Sequence, residues 1–482
     1  MIREPLIFEL SDEGKKSFVL PDLDIPVDKE ILEGLKERKD IAGFPQVSEI
    51  EVVRHFTRLS QTNFCIDTVF YPLGSCTMKY NPKINEKIAS LQGFQECHPY
   101  SPVSLVKGNL TVMKILEEML MEITGMDAFS LQPSAGAQGE LLGMMLIRAC
   151  LEERGDPRKT VLIPDSAHGT NPSSAHICGY QVKEIKTTED GIIDLEDLKK
   201  LMNTEIAAIM ITNPNTLGIF EKDIKKITHI VHSEGGFVYM DGANMNALLG
   251  YARPGEMDVD VIHLNLHKTF STPHGGGGPG SGPVGVKKEL IDFLPVPVIE
   301  KDKDEYYFNY DRPKSIGKIK GYYGNYLVLV KALAYILSLG PRGLKEVAEI
   351  AVLNSNYIRK KLEGTYYLKY QAPTLHECVF SDKYQVSNGI KNIDIAKRLI
   401  DYGLHPPTMS FPLIVPGALM IEPTETESKQ EIDRFVDAMI HISKESEENP
   451  EILKGAPSTA YVSRLDETSA ARNTVLRWEP EK

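Results

Sequence analysis

Through the middle of this chain, short runs of consecutive apolar residues alternate with longer stretches that are apolar along one side only. The runs at Thr160–Pro164, 180–186, Ile206–Thr212, 236–240 and 259–266 predict buried strands, because a strand covered on both faces reads as a continuous apolar segment. Between them, 141–153, 194–202 and 221–233 predict helices, the second opened by the acidic cap Asp194. Upstream, Met113, Leu116, Leu120 and Ile123 recur at three- and four-residue spacing, and Gly125 follows as a stop; this predicts a helix over 110–124. Strand–helix alternation of this kind predicts an α/β layer architecture. After residue 307 the pattern changes. Helices are expected at 322–339, 344–362, 393–402 and 429–443, and strands at 367–373, 377–380 and 412–421, which describes a smaller α+β unit. The start is punctuated by Pro5, Pro21, Pro26 and Pro45, with short helical patterns at 31–36 and 53–60. It reads as an arm that wraps a partner or the main body. The expected organisation is an arm over 1–75, a large domain over 76–325, and a small domain with a polar tail over 326–482.

Composition narrows the function. A formal charge of −13 disfavours nucleic acid and anionic membrane surfaces as partners. No unbroken apolar run approaches the ~18 residues of a membrane span, and the first ten residues are too short and too acidic for a signal peptide. Six cysteines are scattered without a C-x-x-C pair, which points to a reducing cytoplasm and away from disulfides or a structural metal.

The candidate chemistry gathers where predicted strands end. The strand at 259–266 delivers His267 and Lys268 into a loop dominated by Gly275, Gly276, Gly277, Gly278, Gly280 and Gly282. A lysine at a strand end in a partly dry pocket suits Schiff-base chemistry, which uses the free amine. Asp241 ends the preceding strand, with Ala243 two residues on. His168 follows an earlier strand, and Asn213 follows another. The turn Ser134-Ala135-Gly136-Ala137 opens a helix whose first amides are left for an anion. Singly, each has a plain alternative: Asp241 as a turn cap, His168 as a loop histidine, His263 as core or interface, His274 as a neighbour of the site. Together they suit pyridoxal 5'-phosphate. Lys268 would carry it as a covalent aldimine and Asp241 would pair with the ring nitrogen. Ala243 would leave room under the ring and His168 would stack on its other face. The 134–137 amides would take the phosphate, with His267 and Asn213 close by. No metal is expected. Lys268, His168 and Asp241 are the candidate catalytic residues. The loop 71–82, with Thr77 and Lys79, and the glycine run are candidates for the mouth of the site. A substrate-carboxylate arginine is not singled out among Arg359, Arg398 and Arg434.

Five stretches also resemble a known family. Leu73-Gly-Ser-Cys-Thr-Met-Lys79, Ser166-Ala-His-Gly-Thr-Asn-Pro172, Asp241-Gly-Ala-Asn-Met-Asn246, His263-Leu-Asn-Leu-His-Lys-Thr-Phe270 with the following glycines, and Met420-Ile-Glu-Pro-Thr-Glu-Thr426 look like the glycine decarboxylase P-protein of the glycine cleavage system. The likeness runs from about residue 60 to about residue 440, on the lysine-bearing half. It implies a type I pyridoxal phosphate fold, similar to aspartate aminotransferase, with a large mixed-sheet domain and a smaller C-terminal α+β domain. It implies glycine decarboxylation with transfer of the aminomethyl group to the lipoyl arm of H-protein. It also implies a paralogous subunit 1 as partner, in a hetero-oligomer built as a dimer of heterodimers. The competing readings are a stand-alone pyridoxal phosphate amino-acid decarboxylase or aminotransferase, and a scaffold half without chemistry of its own.

Overall fold

A computed structural model describes residues 4–26, 30, 33–36, 43–275, 280–303 and 305–479. Of the helical pattern expected over 31–36, residues 31 and 32 lie outside the described residues, and 33–36 form a turn. The second pattern is a helix, Glu49–Gln61. It is started by Ser48, whose amide donates to Glu51 Oε2 at 2.8 Å in a capping box.

The centre is a seven-stranded sheet. Its strands are β1 (Ala128–Ser130), β2 (Thr160–Pro164), β3 (Gln181–Ile185), β4 (Ile206–Thr212), β5 (Phe237–Gly242), β6 (Val261–Leu264) and β7 (Val284–Val286), in the spatial order β1-β7-β6-β5-β4-β2-β3. β2 to β6 run parallel, and β7 runs against both β6 and β1, so the sheet is mixed. Every residue of β2, β4, β5 and β6 is buried. That is why these strands read as unbroken apolar runs. Helices Val103–Thr124, Gly136–Glu153, Leu195–Leu201 and Ile224–Ser233 cover the faces. Two hydrophobic clusters result, one holding Leu162, Ile209, Val238 and Ile262, the other Val161, Ala208, Tyr239 and Val261. A hairpin, β8 (Val298–Asp302) with β9 (Glu305–Asn309), follows; the apolar pattern gave no sign of it.

The expected pair of helices at 322–339 and 344–362 lies within the run Tyr326–Leu362 as two helices that meet at a kink, where Gly340 (φ 62°) leaves helical geometry beside Pro341. Glycine alone takes that dihedral without strain, and proline cannot donate back into the preceding turn. One 18-residue window of this run is apolar enough on average for a membrane span, although no unbroken apolar stretch is; half of that window is buried in the fold. Beyond it lies a three-stranded antiparallel sheet, β10 (Cys378–Ser381), β11 (Thr408–Met409) and β12 (Ala418–Ile421), with β12 central. Helices Asn392–Asp401 and Lys429–Glu448 cover it. Two strand expectations shrink. Of 367–373, only Tyr367 bridges to Ser381; Tyr370 and Ala372 pack instead against Ile192, Leu217 and Ile219. Of 412–421, only 418–421 pairs, since Pro412 and Pro416 have no amide to offer a ladder. An outside segment completes this sheet: Leu73 bridges antiparallel to Ile421, and the Glu422 amide donates to Pro72 O at 3.2 Å.

Candidate active site

A cavity of about 180 Å³ opens at the carboxyl ends of the parallel strands, the edge at which open α/β sheets hold ligands. Lys268, Asp241, Ala243, His168, His267, Gly136 and Ala137 line it, as do Ser75, Glu140, Thr170, Thr212, Thr216, Asn244 and Asn265. Of the residues expected from sequence, three stand off. Ser134 donates through its amide and hydroxyl to Gln138 Oε1 (2.7 and 3.0 Å). Ala135 is the residue before the helix. Asn213 is fully buried, its Oδ1 accepting the Glu221 amide at 3.0 Å. Arg359, Arg398 and Arg434 do not line the cavity. Of the glycine run, residues 276–279 lie outside the described residues.

Lys268 rides on a one-turn helix, Leu266–Thr269, entered directly from β6, rather than on the loop expected there. Its Nζ donates to Ser75 O at 2.8 Å. Asp241 closes β5 and is in register with His263 of β6. One carboxylate oxygen accepts the Ala243 amide at 2.9 Å. His263 Nε2 lies 3.4 Å from the same oxygen, and His263 Nδ1 meets the Tyr239 hydroxyl at 2.5 Å. His263 is thus a core histidine bonded through Nδ1 to Tyr239, with Nε2 near Asp241 but making no hydrogen bond. His168 accepts the Thr170 amide at Nδ1 (3.3 Å), and Phe411 of the small sheet's β11–β12 connection packs edge-on to its ring at 5.3 Å. Burial keeps His168 neutral by pushing its pKa down, and takes His267 down to about 3 and His274 to about 4. Glu140, held by the Thr170 hydroxyl at 2.9 Å, is driven up to about 8 by burial and then by the charge of Asp241.

The fit to pyridoxal 5'-phosphate can be judged on this chain's own atoms. Three side chains lining the cavity have buried polar atoms with no partner: Thr212 Oγ1, Asn244 Oδ1 and Asn265 Oδ1. Such atoms cost free energy unless a polar ligand meets them. The helix Gly136–Glu153 starts at the cavity, and its first intrahelical bond is Gly139 N to Ala135 O, so earlier amides are free for an anion. A Cβ on Gly136 would stand 2.3 Å from Asn265 Oδ1, so any larger residue there displaces that side chain. An amine, a carboxylate, a flat imidazole and the open start of a helix line one cavity, a set of groups that suits the cofactor.

Behind Ser75 lies a second group that sequence reading passed over. Glu377 immediately precedes β10 and Glu422 immediately follows β12; they face each other one step past the Cys378–Ile421 pair. Both are fully buried, as is His376, neither of whose ring nitrogens has a partner. Glu377 Oε2 accepts the Ser75 amide at 2.8 Å. Glu422 accepts the Thr77 amide (2.9 Å) and hydroxyl (2.6 Å). Ser75 (φ 61°) and Thr77 (φ 48°) both sit in the left-handed region, which costs a non-glycine residue on the order of 1–3 kcal/mol and persists only where surroundings over-determine it. Next to this turn, Lys79 is buried and fully bonded. Its Nζ reaches Glu425 Oε1 (2.8 Å), Asn246 Oδ1 (2.9 Å), Thr269 O (2.9 Å) and the Tyr335 hydroxyl (3.2 Å). The Met420–Thr426 motif contained Glu422 and Glu425, but a motif gives no hint of what lies across from it.

Comparison with known proteins follows this geometry. Residues 15–307 match the family described as Glycine cleavage system P-protein, and residues 347–458 match Glycine dehydrogenase, C-terminal domain. The chain is 57% identical over 477 residues to a probable glycine dehydrogenase (decarboxylating) subunit 2 of Caldanaerobacter subterraneus subsp. tengcongensis, covering 98% of each. By shape it is similar to a glycine decarboxylase (P-protein) of the glycine cleavage system in inhibitor-bound form. That match has a TM-score of 0.72 at 19% identity and covers 86% of this chain and 93% of that one. It is also similar to a C-DES mutant with glycine covalently linked to its PLP cofactor, with a TM-score of 0.61 at 14% identity, covering 77% and 96%. With more than half its length matched by one family and nearly all of it aligned to a relative of the same size, this chain belongs to the glycine cleavage system P-protein family.

Proposed function

We propose that the chain decarboxylates glycine with pyridoxal 5'-phosphate and passes the aminomethyl group to the lipoyl arm of H-protein, as one subunit of a cytoplasmic hetero-oligomer with a paralogous subunit 1. The observation that carries this reading is the juxtaposition of Lys268 and Asp241 on one cavity at neighbouring strand ends. When bound, the cofactor supplies an electron sink for the pair left behind as the carboxylate departs.

Every other task falls to the chain. Lys268 Nζ is the attachment point for the cofactor aldehyde, and the Ser75 carbonyl aims it. Asp241 would hold a proton on the ring nitrogen, and the Ala243 amide holds Asp241 still. Ala243 leaves space beneath the ring, and His168, kept neutral by burial, covers its other face without adding a competing positive charge. The amides at Gly136 and Ala137 bind the phosphate. The cavity walls would limit the access of water to the reacting carbon, while the amino-group-bearing fragment awaits the lipoyl arm. The turn 71–82 borders the way in. All six cysteines are free, in keeping with a reducing compartment.

The test is borohydride trapping of the chain and its companion subunit, followed by peptide mapping and by glycine–bicarbonate exchange with and without H-protein. A single reduced adduct on Lys268, with exchange dependent on both proteins, is expected. An adduct on another lysine, or full exchange by the isolated chain, overturns the assignment.

A further inference from the structure

The mechanism above leaves Glu377, Glu422 and His376 without a task, though they lie just beyond the carbonyl that holds Lys268. Three features need a cause. Two carboxyl groups face each other across an antiparallel pair with no exposure to water, an arrangement that destabilises a sheet if both are charged. His376 Nε2 points between them, 3.9 Å from Glu377 Oε1 and 3.9 Å from Glu422 Oε1. Two successive strained positions, Ser75 and Thr77, are each tied to one of the two acids.

We propose that Glu377 and Glu422 are positioning residues for Lys268: they hold one proton between them and clamp the Ser75–Thr77 turn whose carbonyl carries the lysine amine. The inference rests on Lys268 being the cofactor-bearing residue. One shared proton leaves one negative charge, and Lys268 faces both acids. The other titratable groups facing the pair do not change that count. Lys79, on the Glu422 side, is already paired with Glu425. Burial keeps the Cys76 thiol protonated and His376 neutral, the latter down to about 3. Burial, then each other's charge, drives Glu377 well above the carboxylate range, and burial takes Glu422 to about 7. The pair reaches Lys268 through the turn and so acts at one remove from the chemistry.

The test uses the full chain with its companion subunit and the variants Glu377→Gln, Glu422→Gln, the double variant and Glu422→Asp. The first readout is the pH midpoint of the visible band of bound pyridoxal 5'-phosphate. Each single glutamine variant keeps one negative charge, because the surviving acid then ionises. Its midpoint is expected within about half a unit of the parent, while the double variant, with no charge left, falls by about one unit or more. The second readout is hydrogen exchange of the peptide over 73–80 without cofactor. Glu422→Gln is expected to speed it most, since one amide oxygen cannot replace both acceptors used by Thr77. Should the double variant not fold, Glu422→Asp decides. It keeps the charge and shortens the reach, so exchange quickens while the midpoint holds; a midpoint moved by a full unit overturns the proposal. So does a single glutamine variant that shifts as far as the double, or a double variant that does not shift. A parent complex with no visible band sinks the proposed function and this inference together. A normal parent band with indifferent variants sinks this inference alone.

Discussion

The two sides of Lys268 are built by different means. On one side, Asp241, Ala243 and His168 follow the ends of strands in a single sheet, and short loops carry them to the cavity. On the other, the Ser75–Thr77 turn is held by Glu377 and Glu422, so that a turn meets two acids more than 300 residues further along the chain. The first side inherits its order from the sheet. The second joins the ends of β10 and β12 to a turn from far earlier in the chain, tied by one bridge from Leu73 to Ile421 and by buried polar bonds. A sheet edge places groups cheaply and repeatedly, whereas a long-range polar cluster is placed once and fails as a unit.

That contrast can be attacked directly. The largest effect is expected from Lys79→Met on the clustered side, which strands Glu425 in the interior. A loss of ~3–5 kcal/mol in denaturant unfolding is expected, with much of it recovered when Glu425 is also made apolar; a loss near zero would mean that the cluster is not structural. On the strand-end side, Asp241→Asn keeps the shape and removes the charge. Glycine–bicarbonate exchange is expected to fall by ~10²–10³-fold while borohydride still traps the cofactor on Lys268. Loss of trapping instead would make Asp241 a fold residue. His168→Ala removes one stacked ring, worth about 0.5–1.5 kcal/mol, and cofactor retention measured by dialysis is expected to weaken accordingly with no change in melting temperature. The smallest effect concerns Glu221, beneath the end of β4. Burial lifts it from its ordinary 4.5 to about 7. The folded state therefore binds more protons than the unfolded one between those values, and its stability falls as pH rises from about 4.5 to about 7. Glu221→Gln escapes that fall. The parent's advantage over the variant in urea unfolding is expected to be greatest near pH 4.5 and smallest above pH 7; an unchanged difference refutes it.

The same contrast explains what sequence reading reached. β2 and β4 were legible to the residue because strands buried on both faces leave unbroken apolar runs. Lys268, Asp241, Ala243 and His168 were legible because each follows such a run. Asn265, Thr212 and Asn244 could have been found by the same logic, since they too sit at strand ends. Glu140 was placed just before the helix expected over 141–153; it lies one turn inside, because that helix starts at Gly136. Glu377 and His376 precede a strand in a region of weak pattern, and their meaning comes only from Glu422 opposite. The kink at Gly340 was legible as the gap between two expected helices. The hairpin β8–β9 is half exposed and charged, so it carries no strong periodic signal.

The bridge from Leu73 to Ile421 has a bearing on how this protein is born. On a ribosome the turn at 75–77 emerges early, yet Glu422 follows Thr77 by 345 residues. At ~5–20 residues per second that is a wait of roughly 20–70 s. Until the far acid arrives, nothing exists to force Ser75 and Thr77 into their strained dihedrals, and the lysine has no fixed carbonyl to meet. Completion of the reactive amine's surroundings thereby waits for Glu422, and a product that stops before residue 422 would carry the lysine without the means to aim it.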